Sequence, residues 1–212
     1  MRMPISDQIL GVILAGGRSR RFGGGDKGLA DLGGQSILAR VIAQFRPQVG
    51  RLILNINGDP GRFAEYGLET VSDDENPELG PLSGLLATMD WAAQHAPECN
   101  AIATVSADVP FLPNDLVARL DASRANGVAI ATSGDRRHPT IAIWPMSTRQ
   151  TIAEALNNRA LSVDKLAAQL KAVAVAFPMR DIRSVKVDPF FNINTPDDLS
   201  SARTLLVGPT EG

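Results

Sequence analysis

Short apolar runs alternate with amphipathic stretches along almost the whole chain. Four of the runs are rich in β-branched residues and are typical of strands buried on both faces: residues 9–14, 52–56, 101–105 and 128–131. The stretches between them carry apolar residues at helical spacing: residues 37–45, 82–93 and 116–125. This alternation predicts βαβ units, so we expect an α/β fold, a three-layer αβα sandwich around a mostly parallel sheet.

A further helix is predicted near the C-terminus, where the sequence supplies a start signal. Thr195 offers a hydroxyl N-cap, Pro196 stands at the first helical position, and two aspartates follow that face the positive end of the helix dipole. We expect this helix to run to about Leu206 and the tail 208–212 to be frayed. Because no repeat or low-complexity linker interrupts the pattern, we expect residues 1–212 to form a single domain.

The composition of the chain excludes several kinds of binding partner and structural bond. The chain has 212 residues, 44% of them hydrophobic, and its net charge of -2 gives no general attraction to nucleic acid or anionic lipid. Cys99 is the only cysteine and there are two histidines, which excludes an internal disulfide and leaves no ligand cluster for a structural zinc. No apolar run approaches the length of a signal-peptide core or a membrane span. We therefore expect a cytoplasmic protein without nucleic acid or membrane partners.

The glycine-rich loop, residues 14–27, follows the first predicted strand and combines five glycines with three arginines and a lysine. Glycines let backbone N–H groups turn toward an anion, and Arg18, Arg20, Arg21 and Lys27 bring positive charge to the same place. The loop has neither the ending of a Walker A motif nor a GxGxxG fingerprint that opens directly into a helix. Its place after a parallel-type strand favours phosphate binding over the alternative, a flexible and solvated basic loop.

Asp108 follows the apolar run 101–106, and Pro110 ends any strand there by removing a hydrogen-bond donor. A carboxylate is therefore expected at the carboxyl edge of the sheet, where α/β folds collect ligands. Carboxylate oxygens are the hard ligands that Mg²⁺ prefers when it also bridges substrate phosphates. We interpret Asp108 as a Mg²⁺ ligand, and the alternative is a turn or N-cap aspartate before Pro113.

Other polar residues and glycines occupy equivalent strand ends and turns. Asn55 and Asp73 each follow an apolar run, so their side chains could converge on one edge of the sheet, although turn chemistry explains each of them alone. Gly80 and Gly84 flank the start of a predicted helix, where glycine permits close approach by a flat ring or a phosphate. The alternative for this pair is a plain helix N-terminus.

Asn192 and Asn194 precede the C-terminal helix and offer two amides on one face, because alternate residues of a strand point the same way. They could read the polar edge of a heterocycle, or they could satisfy loop backbone. His138 has no second histidine or serine nucleophile pattern beside it, which argues against a hydrolytic triad. A structural or substrate-contact role is the better interpretation of His138.

Five motifs in this order resemble the molybdenum cofactor guanylyltransferase family of the MobA type, and they span nearly the whole chain. They are the glycine-rich loop LAGGRSRRFGGGDK, the GPLSG turn at residues 80–84, Asp108-Val109-Pro110, Arg137-His138-Pro139-Thr140 and Asn192-Ile193-Asn194-Thr195-Pro196. Nucleotidyltransferases of related folds share the start of the first motif and differ downstream of it. The resemblance implies a Rossmann-like fold of the nucleotide-diphospho-sugar transferase type.

The resemblance implies transfer of GMP from Mg-GTP to the terminal phosphate of the molybdenum-molybdopterin cofactor, with release of pyrophosphate. Such a reaction brings two polyanions together, so the main task of the enzyme is to offset charge and to align an in-line attack on the α-phosphorus. The acceptor phosphate is already a nucleophile and needs no general base. The expected cofactor is Mg²⁺, and the expected substrates are GTP and molybdenum-molybdopterin.

The resemblance also carries roles to individual residues. Arg21 and Lys27 would contact phosphates and Asp108 would hold Mg²⁺, which makes these three the expected catalytic residues. Asn192 and Asn194 match the pterin-side motif of the family. The expected nucleotide contacts lie in the glycine-rich loop, at two strand ends and in the GPLSG turn: Leu14, Ala15, Gly16, Gly17, Asn55, Asp73, Gly80 and Gly84.

Three positions qualify this match. Phe22 stands where these loops often carry methionine, which changes packing rather than chemistry. Asn194 stands where wider nucleotidyltransferases often place a second metal carboxylate, so the metal would rest on Asp108, phosphates and water. Arg159 is a weaker match to the acceptor site.

Two other functions stay open at this point. The same chemistry could serve a cytidylyltransferase of the same cofactor or another sugar-phosphate nucleotidyltransferase. A non-catalytic carrier of the cofactor belongs to a different class, and Lys27 and Asp108 argue against it because a carrier does not need ligands for reactive phosphates. We expect the protein to act as a monomer, with transient contacts to cofactor-biosynthesis proteins or molybdoenzyme chaperones.

Overall fold

The computed structural model describes residues 6–16, 27–73 and 79–207. Within this part of the chain, seven strands form a single sheet in the spatial order β3-β2-β1-β4-β6-β5-β7. In chain order they are β1 (Ser6–Leu14), β2 (Val49–Ile56), β3 (Glu69–Ser72), β4 (Ala101–Ser106), β5 (Ala129–Ser133), β6 (Arg136–Pro145) and β7 (Val173–Ala176). The four runs predicted as strands correspond to β1, β2, β4 and β5.

The sheet is mostly parallel, as predicted. Strand β1 pairs in parallel with β2 on one side and with β4 on the other, and β5 pairs in parallel with β7. Strand β6 lies between β4 and β5 and is antiparallel to both. Because β6 runs in the opposite direction, its first residues rather than its last ones lie at the carboxyl edge of the parallel strands.

Six α-helices follow in the described residues: α1 (Ile37–Phe45), α2 (Pro81–His95), α3 (Leu116–Ser123), α4 (Arg149–Asn157), α5 (Val163–Gln169) and α6 (Pro196–Val207). The three helices predicted from apolar spacing are α1, α2 and α3, with ends that differ by at most a few residues. The N-cap of α1 is Ser36, whose hydroxyl accepts a hydrogen bond of 3.0 Å from the backbone N–H of Ala39.

The helices cover both faces of the sheet, which explains why its strands appear as continuous apolar runs. Along β1, Ile9 and Ile13 pack in the core shared with α1 and α3. Leu10 and Val12 point the other way, into the core shared with α2, α4 and α5. The predicted three-layer αβα sandwich is therefore confirmed. A third and smaller cluster joins α6 to the loop after β4 and to Ile193.

A two-stranded hairpin, β8 (Arg180–Ile182) and β9 (Val185–Val187), leads into the segment 188–195 before α6. The sequence pattern did not predict this hairpin, because only one of its residues is buried. The Arg180 guanidinium donates hydrogen bonds of 2.8 Å to the backbone carbonyls of Phe111 and Leu112, which ties the hairpin to the loop after β4. Among the described residues, every helix is too short or too polar to cross a membrane.

Candidate active site

Lys27 and Asp108 meet at the carboxyl edge of the sheet. Asp108 lies just after β4, where the backbone N–H of Ala107 bonds to the carbonyl of Leu14 at 3.1 Å and so fixes the end of β4 beside the end of β1. Lys27 opens a short 3-10 helix directly after the glycine-rich loop. Its ammonium forms an ion pair with Asp108 Oδ2, and the two side chains are only 15% and 16% exposed.

The same ammonium reaches both asparagines that precede α6. Lys27 Nζ donates to Asn194 Oδ1 at 2.9 Å and lies 3.5 Å from Asn192 Oδ1. The backbone N–H of Ile193 donates to the backbone carbonyl of Asp108 at 3.0 Å. Residues 192–194 belong to no strand, contrary to the expectation of a strand face, because their backbone follows the turn into α6. Four of the predicted site residues are nevertheless in direct contact.

One oxygen of Asp108 stands apart from its ion pair. Its Oδ1 atom is buried and has no hydrogen-bond partner among the residues that the structure describes. Burial raises the pKa of Asp108, and the charge and hydrogen bond of Lys27 offset only part of that rise. Of the two alternatives, the turn aspartate describes the backbone of Asp108, which lies in a turn, and the N-cap aspartate does not, because the N-cap position of α3 is Asp115. A buried hard oxygen of this kind fits a divalent cation.

The described part of the chain supplies few further ligands for such a cation. No group of three or more His, Cys, Asp or Glu side chains suited to a metal occurs among residues 6–16, 27–73 and 79–207. A Mg²⁺ ion at Asp108 would therefore take most of its ligands from phosphates and water, which is how this ion is commonly held in nucleotide enzymes.

Asn55 and Asp73 meet at the ends of β2 and β3. The Asn55 amide donates to the Val71 carbonyl and to Asp73 Oδ1, both at 3.2 Å, and Asn55 is 3% exposed. The Ser83 hydroxyl donates to Asp73 Oδ2 at 2.5 Å. Ser83 belongs to the GPLSG turn and received no role from the sequence, yet it links that turn to the strand ends. The three polar groups form one connected network.

The two glycines of the GPLSG turn differ in their surroundings. A Cβ atom at Gly84 would lie 2.1 Å from Asn55 Oδ1, so the missing side chain makes room for Asn55. This corrects the expectation that the space beside Gly84 serves a flat ring or a phosphate. Gly80 has φ +71°, so its backbone requires glycine, and no heavy atom of the described residues lies within 4 Å of a Cβ at that position.

The residues just after β1 are held by two asparagines, one at the end of β2 and one just after it. The backbone N–H of Ala15 donates to the Asn55 carbonyl at 2.8 Å, and the Asn57 amide donates to the Gly16 carbonyl at 3.1 Å. Asn57 received no role from the sequence. The available signal was its position directly after the second predicted strand, at the carboxyl edge of the sheet. Gly17, Arg18, Arg20 and Arg21, also predicted here, lie outside the described residues.

His138 is a buried residue of the same edge, 7% exposed. Its Nε2 lies 2.7 Å from Ser133 Oγ and 3.9 Å from Asp188 Oδ2. Burial lowers the pKa of His138, Asp188 raises it in part, and the net shift is downward. Because serine and aspartate face the same ring nitrogen, the three do not form a hydrolytic relay. Arg159, the weaker acceptor candidate, is exposed on the turn after α4.

Comparison with known proteins identifies the family of this chain. Residues 11–173 match the family described as MobA-like NTP transferase domain. A molybdenum cofactor guanylyltransferase from a Bradyrhizobium species is 45% identical over 199 residues, which cover 92% of each chain. The protein of the same name from Mesorhizobium japonicum is 44% identical over 208 residues, covering 95% of this chain and 98% of the relative.

The fold has solved counterparts as well. Molybdopterin-guanine dinucleotide biosynthesis protein A from Archaeoglobus fulgidus superposes with a TM-score of 0.65 at 22% identity, covering 93% of this chain and 97% of that one. At this level of identity the likeness concerns the fold, which is of the nucleotide-diphospho-sugar transferase type. The resemblance read from the five motifs is confirmed by the sequence relatives, and the chain belongs to the MobA-like NTP transferase family, grouping with its molybdenum cofactor guanylyltransferases.

Proposed function

We propose that the protein transfers GMP from GTP to the terminal phosphate of the molybdenum-molybdopterin cofactor. The observation that carries the proposal is the meeting of Lys27, Asp108, Asn192 and Asn194 at one edge of the sheet. Two of these residues belong to the donor side and two to the acceptor side of the motif pattern. The names of the relatives that cover more than nine-tenths of the chain support the same activity.

The reaction forms one P–O bond and breaks another. An oxygen of the acceptor phosphate attacks the α-phosphorus of GTP, and the bond from that phosphorus to the α,β-bridging oxygen breaks, so that pyrophosphate leaves with the bonding pair. Charge neutralisation and alignment carry most of the catalysis in such transfers. Lys27 supplies a cation for the phosphates, and Arg21 is proposed to supply a second.

On the donor side, Leu14, Ala15 and Gly16 at the end of β1 are proposed to line the guanine pocket, with Gly17 continuing it. The hydrogen bond from Asn57 to the Gly16 carbonyl fixes the backbone that would face the base. The network of Asn55, Asp73 and Ser83 lies beside this strand end and would hold the nucleoside. Further contacts to the nucleotide are proposed for Gly80 in the GPLSG turn. Gly84 contributes indirectly, because its missing side chain leaves room for the Asn55 amide.

Asp108 is proposed to hold one Mg²⁺ ion. Its buried and unpartnered Oδ1 atom supports this role, since an ionised carboxylate oxygen without a hydrogen bond is costly unless a cation meets it. When bound, Mg²⁺ would add positive charge at the triphosphate and help to orient it. The Asp108 side chain itself would fix the ion at the end of β4, next to the Lys27 ammonium.

On the acceptor side, Asn192 and Asn194 are proposed to bind the pterin cofactor. Their amides lie beside the Lys27 ammonium, so an acceptor held by them would bring its terminal phosphate toward the donor phosphates. The hydrogen bond from Ile193 N–H to the Asp108 carbonyl fixes the distance between the two halves of the site. The acceptor-binding asparagines and the proposed metal ligand are thereby kept on neighbouring pieces of backbone.

The direct test is transfer of label. Purified protein, Mg²⁺ and molybdenum-molybdopterin are incubated with GTP labelled at the α-phosphorus, and the dinucleotide product and pyrophosphate are measured. Parallel reactions with CTP and UTP test the base, and a preference for CTP would replace guanylyl with cytidylyl transfer. A carrier without catalysis would release no pyrophosphate.

A matched pair of carboxylate variants tests the site. We expect Asp108→Ala to lower kcat/KM for GTP by about two to three orders of magnitude, as for the loss of other groups that stabilise developing charge. Asp115→Ala removes an exposed carboxylate a few residues further along and should leave kcat/KM unchanged. If Asp108→Ala turned over like the parent protein, the proposed function of this site would be wrong.

A further inference from the structure

The cluster of Ser133, His138 and Asp188 lies at the active edge of the sheet but has no part in the reaction described above. On β6, the Thr140 hydroxyl lies 3.1 Å from the Ser106 hydroxyl of β4. His138 lies two residues before Thr140 on β6, and Asp108 lies two residues after Ser106, just past the end of β4. The antiparallel direction of β6 therefore places His138 toward the carboxyl edge of the parallel strands, the edge at which Asp108 follows β4.

His138 joins the sheet to the segment that precedes α6. On one side its Nε2 is 2.7 Å from the Ser133 hydroxyl on β5. On the other side its ring packs against Phe190, with ring centroids 4.8 Å apart, and its Nε2 lies 3.9 Å from Asp188 Oδ2. Phe190 is 1% exposed and is backed by the edge of Phe177 at 5.3 Å. The imidazole thus fills the space between strand and segment.

Two side-chain anchors hold the ends of the segment 188–195, and between them, beside the acceptor asparagines, the bond from the Ile193 N–H to the Asp108 carbonyl ties the segment to the end of β4. At the first anchor, Asp188 accepts the N–H of Phe190 on its side chain at 2.8 Å and the N–H of Phe191 on its carbonyl at 3.0 Å. At the second anchor, Asp198 Oδ2 accepts the N–H groups of Asn194 and Thr195, both at 2.9 Å. His138 is the side chain from the sheet that contacts the first anchor.

We propose that His138 is a positioning residue for acceptor binding, acting through Phe190 and Asp188 on the backbone that carries Asn192 and Asn194. The inference rests on the proposed function where it concerns the acceptor. Its physical basis is that a displacement of about 1 Å in a substrate-binding group can cost about a hundredfold in rate. Without the imidazole, the first anchor loses its support from the sheet, whereas Asp198 still holds the second.

Amide hydrogen exchange tests the anchoring without any substrate. In His138→Ala we expect the N–H groups of Phe190 and Phe191 to exchange about tenfold faster, because local opening of the segment becomes easier. The matched control is Ile143→Ala, which truncates a buried residue of the same strand away from the segment. Unchanged exchange at Phe190 and Phe191 in His138→Ala, or an equal rise in the control, would overturn the proposal.

Kinetics test whether the anchoring serves the acceptor. We expect His138→Ala to raise the KM for molybdenum-molybdopterin about tenfold and to leave the Kd for GTP within about twofold of the parent. The double variant Ser133→Ala/His138→Phe keeps an aromatic ring against Phe190 and removes both polar partners, so it should return most of the acceptor affinity. Equal changes for both substrates would contradict a positioning role.

A double-mutant cycle identifies the route of the effect. If His138 acts through the acceptor asparagines, His138→Ala should change the acceptor KM less than about twofold in an Asn194→Ala background. If the two substitutions changed the acceptor KM independently, so that their fold-changes multiplied, His138 would act elsewhere and the proposal would be wrong. If the parent protein transfers no GMP, the proposed function fails by itself, and the exchange result then decides alone whether His138 holds the segment.

Discussion

The Lys27 ammonium and the Asp108 carboxylate are paired directly with each other, although each was expected to meet a substrate or a metal. The ammonium also donates hydrogen bonds to the amide oxygens of Asn192 and Asn194. Carboxylate and amide oxygens that converge on one cation form a site that a divalent ion could also occupy. Because Asp108 Oδ1 is proposed to hold a metal while Oδ2 pairs with Lys27, the ammonium would compete with that metal for the charge of Asp108 as long as no phosphate is bound.

This competition predicts an unusual variant. We expect Lys27→Met to bind Mn²⁺ in the absence of nucleotide at least about tenfold more tightly than the parent, since a nearby unit charge repels a cation by several kcal/mol. The same variant should lose GMP transfer. Mn²⁺ binding is measured by electron paramagnetic resonance of the free ion.

Two controls accompany this measurement. Asp108→Asn in the Lys27→Met background should abolish the gain, because the carboxylate is the proposed ligand. Lys165→Met removes an exposed lysine on α5 and should leave Mn²⁺ affinity unchanged. Weaker Mn²⁺ binding in Lys27→Met than in the parent would show that the ammonium does not compete with the metal.

The contact between Gly84 and Asn55 predicts the effect of a single methyl group. In Gly84→Ala the new Cβ would lie 2.1 Å from Asn55 Oδ1, so the amide must move and its bond to Asp73 is lost. We expect the free energy of unfolding to fall by about 1–3 kcal/mol, as for other overpacked cores, and the Kd for GTP to rise. Urea unfolding and equilibrium binding measure the two effects.

The control for this variant is Gly127→Ala. Its nearest neighbour would be the Arg124 carbonyl at 3.5 Å, an ordinary contact, so stability should change by less than about 1 kcal/mol. An equal loss of stability in both variants would mean that the cost is general to the replacement of glycine by alanine and does not come from Asn55.

Burial of His138 predicts how stability depends on pH. The pKa of His138 in the folded state lies below the ordinary histidine value of 6.5, so the unfolded chain takes up the proton first as the pH falls. The stabilisation is present above pH 6.5 and is lost as the pH falls through the lower pKa of the folded state, with a slope of at most about 1.4 kcal/mol per pH unit. Comparison of urea unfolding for the parent and His138→Gln at pH 7.5 and pH 5.5, values chosen about one unit on either side of the usual pKa, isolates this term.

A steeper acid dependence in the parent than in His138→Gln is the expected result. His95→Gln provides the matched control, because His95 is an exposed residue at the end of α2. Parallel pH profiles of the parent and His138→Gln would mean that His138 titrates equally in the folded and unfolded chains.

The capping of α6 predicts a linked loss of stability and acceptor binding. Asp198 accepts two backbone N–H groups and its own N–H donates to the Thr195 hydroxyl at 3.1 Å. We expect Asp198→Ala to cost about 0.5–2 kcal/mol in unfolding free energy and to raise the acceptor KM, because Asn194 loses its backbone anchor. Thermal unfolding and acceptor kinetics measure these quantities.

The neighbouring Asp197→Ala is the control for the cap. Asp197 is an exposed acid in the same turn, so its replacement removes a similar interaction with the helix dipole and spares the cap. If both variants raised the acceptor KM equally, the effect would come from charge near the helix and not from the anchor of Asn194.

The sequence could predict the elements that bury apolar surface, but not the direction of every strand. The run around Ile141 and Trp144 was visible as apolar, yet a strand buried on both faces has the same pattern in either direction. Its antiparallel course in β6 follows from pairing with β4 and β5. For the same reason the contact between His138 and Phe190 could not be predicted.

The residues of the candidate site were predictable by type, whereas their partners were not. Asn55 lies at the end of its strand and Asp73 and Asp108 follow theirs, so they fall on one edge because these strands are parallel. The sequence does not show which oxygen atoms pair with the Lys27 ammonium, because its partners come from segments that are far apart in the chain. The same holds for Gly84, whose neighbour Asn55 comes from another strand.

The bond between the Ile193 N–H and the Asp108 carbonyl uses backbone atoms alone. Side chains at positions 192 and 194 can therefore be exchanged without moving the chain that carries them away from the end of β4. In an enzyme of this construction, a few substitutions can change which acceptor is bound while the groups that bind the donor nucleotide keep their positions. We expect acceptor preference in such enzymes to be redesigned most readily at these two positions.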